Sequence, residues 1–151
     1  MRRVAAFTLV EIMIVVSIIA LIAVMAVPGF LRAREQAQNA KFINALRIAS
    51  GAFEMYNMEH SAYPPDVNRG IVPAGMALYF GPTLSWTKPT PIGGNWDWDY
   101  NQFGFTAGVS VVGGNAPIEQ MLAIDQRIDD GNLSTGHFQD EGATRFSNII
   151  E

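Results

Sequence analysis

The longest apolar run of the chain lies near its N-terminal end, and it limits the folds open to the rest. From Phe7 to Leu31, about 25 successive residues are almost all apolar. As an α-helix this run is roughly 38 Å long, enough to cross the hydrocarbon core of a bilayer. The basic residues Arg2 and Arg3 precede it and favour a cytoplasmic N-terminus. The run therefore predicts a membrane-spanning helix over residues 7–31.

Glu11 is the one acidic residue inside this run. A carboxylate at membrane depth costs roughly 2.5–3.5 kcal/mol on insertion scales, which suggests a partner for it. Cleavage between Ala6 and Phe7 would leave a free ammonium on Phe7, one helical turn before Glu11. That ammonium, on the same chain or a neighbour, would neutralise the acid. The alternative is a carboxylate at headgroup level that gains roughly 0.3–1 kcal/mol from the helix dipole alone.

The segment Ala6-Phe7-Thr8-Leu9-Val10-Glu11 resembles the processing site of type IV pilins and type II secretion pseudopilins. A short basic leader and a proline late in the apolar run, Pro28, extend the resemblance. It implies that prepilin peptidase removes the leader, residues 1–6, and that Phe7 is then N-methylated. It also implies that Glu11 pairs with a Phe7 ammonium during subunit assembly. The chain has Ala6 where the family usually has glycine, and alanine is also small.

The resemblance implies a structural subunit of a helical filament rather than an enzyme. The implied partners are copies of the same chain, prepilin peptidase, the inner-membrane assembly machinery and, before assembly, the membrane. The subunit would span the inner membrane once with its head outside the cytoplasm, then enter a periplasmic or cell-surface filament. The lack of cysteine and a looser similarity over residues 56–76 favour a secretion pseudopilin over a type IV pilus pilin. A membrane-anchored periplasmic binding protein and a secreted domain released after Ala26 are the alternatives from other classes.

Composition excludes several other functions. The 151-residue chain has a formal charge of −4, so it lacks the basic surface expected of a nucleic-acid-binding protein. Without cysteine it has no disulfide, thiolate metal site or cysteine nucleophile. Its two histidines, His60 and His137, fit no zinc-binding spacing. No nucleophile-plus-base motif or glycine-rich phosphate loop is present, which agrees with a role outside catalysis.

Helical periodicity continues beyond the apolar run. The spacing predicts an amphipathic helix over residues 32–60, ended by the Pro64-Pro65 pair. Pro28 and Gly29 predict a kink or local opening between the two halves. The apolar stripe of the second half consists of Ala33, Ala37, Ala40, Phe42, Leu46, Ala49, Phe53 and Tyr56.

Residues 61–151 predict a small globular head, which gives an α+β, pilin-like fold: a long N-terminal helix packed on an antiparallel sheet. The alternation over 96–100 predicts a strand with aromatic side chains in the core and a solvated acidic face. Residues 105–112 predict a second strand, paired with the first as a hairpin. Residues 116–129 predict a helix with Pro117 at its first position, and residues 145–150 a short last strand.

The acidic residues of the head include candidate calcium ligands, since carboxylate oxygens suit this ion. Asp97 and Asp99 lie on one side of the predicted strand, and the resemblance implies calcium binding because major pseudopilins bind it in a C-terminal loop. Their spacing fails the EF-hand pattern, because Gln102 occupies the glycine position. Asp129 and Asp130 are a second candidate pair, although Asp-Gly and Gly-Asn are also ordinary turn sequences. The default prediction is a head with no cofactor, with calcium as the alternative.

Overall fold

The computed structural model describes residues 8–151, so Ala6 and Phe7 lie outside the described residues. The described chain begins with one long helix, α1 (Leu9–His60). Two strands follow, β1 (Asn95–Gln102) and β2 (Phe105–Val112), then helix α2 (Ile118–Ile128). Strands β3 (Phe138–Gly142) and β4 (Arg145–Ile149) complete the fold. The chain divides into two compact units, with the boundary between Gln36 and Ala37.

The first unit exposes its apolar side chains. Every residue from Thr8 to Ala37 is exposed, and the large apolar side chains between Leu9 and Leu31 expose half or more of their surface. By length and composition this part of α1 can cross a membrane. The helix continues through Pro28 in the structure. The kink expected at Pro28 and Gly29 remains a prediction.

The second unit is built around the C-terminal half of α1. Phe42, Leu46, Ala49 and Phe53 are buried there, as the apolar stripe predicts. The stripe does not continue N-terminally as an interface, because Ala33, Ala37 and Ala40 are all exposed. The first buried residue is Asn39, whose side-chain oxygen accepts a hydrogen bond of 2.7 Å from Gln120 on α2. A polar contact therefore marks the point where burial of α1 begins.

Aromatic rings join α1 to the sheet. Phe42 is parallel to Trp96, with ring centroids 5.5 Å apart, and Phe53 is parallel to Trp98 at 3.6 Å. The indole nitrogen of Trp98 also donates to the carbonyl of Pro64, at 2.9 Å. These contacts confirm that the aromatic residues of β1 belong to the core. The largest fully buried side chains are Trp96, Trp98, Phe42, Phe53, Phe138, Met76, Met121, Ile124 and Val109.

The sheet is antiparallel throughout, with strand order β1-β2-β4-β3. The β1–β2 hairpin is confirmed, and Phe103 and Gly104 form its two-residue loop with positive φ angles. Strand β3 is not among the elements that the sequence predicts. Its hairpin with β4 turns at Ala143 and Thr144, whose φ angles are 49° and 60°. Such turns usually contain asparagine or glycine, so the sequence carries no signal for this one.

The remaining head predictions hold with small shifts. Helix α2 begins at Ile118, and Pro117 is its N-cap rather than its first helical residue. The last predicted strand is present as β4. The α+β, pilin-like fold class is confirmed: a long N-terminal helix whose second half packs on a small antiparallel sheet.

The ring contact between Phe53 and Trp98 yields the first prediction. Phe53→Ala should lower the free energy of unfolding of the head by about 3–5 kcal/mol, because it leaves a cavity beneath a fully buried indole. Urea denaturation of the full chain in detergent, followed by tryptophan fluorescence, measures this change. Met58→Ala is the matched control, since Met58 is 81% exposed on the same helix. A Phe53 variant as stable as the Met58 variant would contradict the prediction.

Candidate functional site

The N-terminus of α1 carries a capping box formed by Thr8 and Glu11. The Thr8 backbone N–H and hydroxyl both donate to Oε2 of Glu11, at 2.8 and 2.9 Å. The Glu11 N–H in turn donates to the Thr8 hydroxyl, at 3.3 Å. A threonine followed three residues later by a glutamate forms this motif because each side chain satisfies the other residue's backbone donor. Glu11 therefore has a partner within its own chain, which the sequence reasoning did not anticipate.

The candidate assembly site also includes residues that precede Thr8. The cleavage site at Ala6 and Phe7, and the N-methylation expected at Phe7, fall outside the described residues. The pairing of Glu11 with a Phe7 ammonium stays a prediction. Glu11 itself is exposed, in a helical segment whose apolar side chains are exposed as well.

In the head, the prediction of a solvated acidic face on β1 is wrong. Asp97 is 5% exposed and Asp99 is 3% exposed, so β1 is buried on both faces over this stretch. The two carboxylates do share one side of the strand, as predicted. They lie on the face opposite Trp96 and Trp98, because successive side chains of a strand alternate.

Arg145, the first residue of β4, is the shared counter-charge of this pair. Its Nη1 donates to both carboxylate oxygens of Asp99, at 2.7 Å each, and its Nη2 donates to Asp97 at 2.8 Å. The Ser110 hydroxyl also donates to Asp99. The guanidinium lies over the ring of Phe103, 4.6 Å from its centroid. This first pair of calcium candidates thus already has a cation of its own.

Burial governs the ionisation of both aspartates. It raises the pKa of Asp97 and of Asp99 above the ordinary aspartate value, and the Arg145 contacts offset only part of the effect. One oxygen of Asp97, Oδ1, is buried without a hydrogen-bond partner among the described residues. The pKa values of both aspartates are higher in the folded state than in the unfolded state. Their contribution to the free energy of unfolding is therefore fully present at a pH below the pKa of the unfolded state. That contribution is lost as the pH rises through the pKa of the folded state.

The second pair of calcium candidates belongs to a cluster of three. Ligand oxygens of Asp125, Asp129 and Asp130 lie within 4.8 Å of one another at the C-terminal end of α2. Asp125 is fully buried, and neither of its carboxylate oxygens has a hydrogen-bond partner among residues 8–151. Burial, then repulsion from Asp130 and Asp129, raises the pKa of Asp125; the backbone N–H groups of Gly131 and Asn132, which lie outside hydrogen-bond geometry, offset part of the effect. A divalent cation suits this set of oxygen donors, because it would supply the positive counter-charge that the buried Asp125 carboxylate lacks.

The neighbouring loop fixes the other two carboxylates. Asp130 accepts hydrogen bonds from the Asn132 N–H, at 2.8 Å, and from the Thr135 hydroxyl, at 2.7 Å. Asp129 accepts one from the His137 N–H. Asp125 lies within the helix predicted over residues 116–129, but the sequence pattern assigned it no role in this cluster. Its position four residues before Asp129, one helical turn away, is the signal that could have identified it.

The comparisons with known proteins cover only part of the chain. Residues 1–27 match the family model described as the prokaryotic N-terminal methylation motif. Over 64 residues the chain is 38% identical to the type II secretion system core protein G of Klebsiella pneumoniae. These residues cover 42% of this chain and 46% of that protein. Over 78 residues it is 33% identical to the protein of the same name from Escherichia coli, with coverages of 52% and 50%.

A pilus protein is also similar to the chain. The type IV wide pilus major component PilA4 of Thermus thermophilus is 36% identical over 63 residues, which cover 42% of this chain and 48% of that protein. The chain spans about half the length of the curated relatives it matches. No solved structure matches it significantly. The resemblance to type IV pilins and type II secretion pseudopilins is confirmed by these matches.

The Arg145 cluster yields the second prediction. Arg145→Met should destabilise the head by about 3–5 kcal/mol at pH 7, because it leaves two buried carboxylates without a counter-charge. The deficit should shrink as the pH falls towards the ordinary aspartate pKa, since protonation removes the buried charges. Urea midpoints at pH 7 and pH 5 test this, with Arg69→Met as the exposed control. An equal deficit at both pH values would contradict an electrostatic origin.

Proposed function

We propose that this chain is a structural subunit of a helical pilus-like filament, and specifically a type II secretion pseudopilin. One observation carries the proposal: the methylation motif leads into a helix whose apolar side chains are exposed from Leu9 to Leu31. Exposed apolar surface of this extent requires cover by lipid or by other helices. A type IV pilus pilin is the second candidate, supported by the similarity to the Thermus pilus component.

The physical argument for assembly is the exchange of one apolar environment for another. Before assembly, the bilayer would cover the first unit of α1. In a filament, the same surface would pack against the corresponding helices of neighbouring copies. Because lipid tails are as apolar as leucine, the transfer gains little from hydrophobicity and depends on packing and polar contacts. Glu11, the only acidic residue of the apolar run, supplies such a polar contact.

The proposal assigns the register contact to Glu11 and to the ammonium of a processed Phe7. Opposite charges a few ångströms apart attract far more strongly in a low-dielectric environment than in water. If Glu11 of one copy pairs with Phe7 of another, the association is head-to-tail, and the proposed filament is the case in which it does not close. Such an association produces an open filament rather than a ring. The role is structural, with prepilin peptidase and the inner-membrane assembly machinery as proposed partners.

The proposed location follows from the same features. The leader would remain in the cytoplasm, α1 would cross the inner membrane, and the head would lie outside the cytoplasm. Taken as the whole second unit, residues 37–151, the head has six basic residues against twelve acidic ones, so it offers no general attraction for nucleic acid.

We also propose that Asp125, Asp129 and Asp130 bind a calcium ion. The support is the buried, unpartnered carboxylate of Asp125 and the convergence of three acidic side chains. Calcium accepts six to eight oxygen ligands in flexible geometries, which a loop at a helix end can supply. The cation would also face the negative end of the α2 dipole.

The first test of the filament proposal is the mature N-terminus. Mass spectrometry of the chain from a host with prepilin peptidase should find a species that begins at Phe7, with one added methyl group. A species that begins at Val27 would identify a secreted domain instead.

The second test of the filament proposal is Glu11→Ala, which should leave membrane insertion unchanged and sharply reduce the yield of sheared filaments.

Thr8→Val is the matched control for the Glu11 variant. It removes the capping hydroxyl but keeps the carboxylate, so it separates the local cap from the contact between subunits. Its own cost should be about 0.5–2 kcal/mol of helix stability. Full filament yield from Glu11→Ala would contradict the assigned role of Glu11. A correctly processed chain that forms no filament would favour a membrane-anchored binding protein.

The calcium site has a separate test. Calcium should raise the melting temperature of the wild-type chain relative to a chelator, and Asp125→Asn should abolish this increase. In chelator, the Asp125 variant should be more stable than the wild type, since it removes a buried charge that has no partner. Asp140→Asn, an exposed acid outside the cluster, should respond to calcium like the wild type. A wild-type melting temperature independent of calcium would contradict the proposal.

A further inference from the structure

A pocket in the head lies where α1, α2 and β4 meet. Its volume is about 200 Å³, and its apolar walls include Ile43, Leu46 and Ile128. Arg47 from α1 and Arg127 from the last turn of α2 also line it. It therefore combines a small apolar interior with two cationic side chains from different helices.

Neither arginine has an acidic partner in the part of the chain that the structure describes. Among residues 8–151 the ion pairs all belong to Arg145, so no carboxylate lies within 4.0 Å of Arg47 or Arg127. Both side chains are exposed at the pocket. In a head with twice as many acidic as basic residues, two guanidinium groups at one small pocket are a local exception. Two such groups favour a carboxylate, since a guanidinium matches its planar geometry.

The size and walls of the pocket limit the form of that carboxylate. A volume of about 200 Å³ admits a side chain but not a folded segment. The apolar walls suit a short methylene stem, and Asn148, whose amide donates to Ser50 at 3.1 Å, adds a polar side. A glutamate or aspartate side chain presented on a protruding turn fits these requirements.

The chain itself presents such a turn at the β3–β4 hairpin. Asp140 and Glu141 lie at the end of β3, just before the exposed Gly142-Ala143-Thr144 turn. The nearby cation, Arg145, is engaged by Asp97 and Asp99. Burial, then repulsion from Asp99 and Asp140, raises the pKa of Glu141. A guanidinium from outside the chain would reduce the electrostatic repulsion among these carboxylates.

The pocket and the acidic turn lie at opposite ends of one hairpin. Asn148, at the pocket, pairs with Phe138 at the open end of the hairpin, whereas Arg145 pairs with Gly142 beside the turn. The two surfaces are thus about 10 Å apart along β4, at the rise of an antiparallel strand. Because the two surfaces are separate, one copy can offer its turn to a neighbour while its own pocket receives the turn of another copy. The contact joins two different surfaces, so it can repeat from copy to copy along a filament.

We propose that the acidic β3–β4 turn of one copy, with Asp140 and Glu141, docks at the Arg47–Arg127 pocket of the next copy in the filament. The proposal rests on the filament function and specifies a contact between heads within it. Charge complementarity supports it: each copy carries an unpartnered basic pocket and an acidic turn, and the pairing brings them together.

Charge reversal in the assembling full-length chain tests the pairing. Arg127→Glu should reduce the yield of sheared filaments about tenfold, because it places like charges at the contact. Glu141→Arg should have a similar effect. The double variant Arg127→Glu with Glu141→Arg should recover most of the yield, since the opposite charges meet again with exchanged positions.

Lys88→Glu and Glu119→Arg are the matched controls, because both residues are exposed and lie outside the two surfaces. They make the same changes in net charge and should leave the yield unchanged. Melting temperatures of all variants check that the heads fold. A double variant no better than the single ones would overturn the pairing, and would point to a small carboxylate molecule as the ligand of the pocket.

Crosslinking provides a second measurement that does not depend on yield. The chain has no cysteine, so introduced cysteines react without background. Two differently tagged chains, one with Arg127→Cys and one with Glu141→Cys, should form mixed dimers in sheared filaments with a short thiol crosslinker. Lys88→Cys with Glu141→Cys should not. Normal filaments without the first crosslink overturn the pairing but leave the proposed function standing, whereas a wild-type chain that forms no filament contradicts the function itself.

Discussion

The contact on which the head depends is the stacking of two α1 phenylalanines on two β1 tryptophans. Phe42 meets Trp96 and Phe53 meets Trp98, each with nearly parallel planes. The phenylalanines are eleven residues apart, three helical turns, whereas the tryptophans are two residues apart on one face of a strand. The helix therefore crosses the strand region at two separate points, which fixes both its position and its rotation against the sheet. The other core residues, including Met76, Phe80 and Trp86, pack around this arrangement.

The polar side chains on the face of the sheet opposite the aromatic core explain why the strands pair in only one register. Asp97 lies opposite Ser110, and Ser110 lies opposite Ser147 on β4, where the two hydroxyls are 2.7 Å apart. Because side chains alternate along a strand, a slip of one residue would turn Asp97 and Asp99 towards the aromatic core. Buried carboxylates without Arg145 would carry a large desolvation cost there. The polar network thus selects one register of the sheet.

Local patterns in the sequence predicted the elements with strong periodicity and failed where a structure depends on distant residues. The stripe from Phe42 to Phe53 and the alternation from Trp96 to Tyr100 were sufficient to predict α1 and β1. Strand β3 was missed because its turn uses Ala143 and Thr144 in a conformation that rarely accepts them. The burial of Asp97 could not be predicted from its neighbours, since its partner Arg145 lies 48 residues away. The carboxylate of Asp125 was missed as a ligand candidate because the helical pattern over residues 116–129 does not show whether a buried acid has a partner.

The capping box at the start of α1 has a consequence for how subunits would meet. Both Thr8 donors bind the same oxygen of Glu11, Oε2. Among the described residues no donor occupies the other oxygen, Oε1. One oxygen of the carboxylate thus closes the first turn of its own helix, and in the proposed filament the other would receive the cation. An ammonium from another copy can be added without breaking the cap, so joining the filament would not require the helix to unwind at its end.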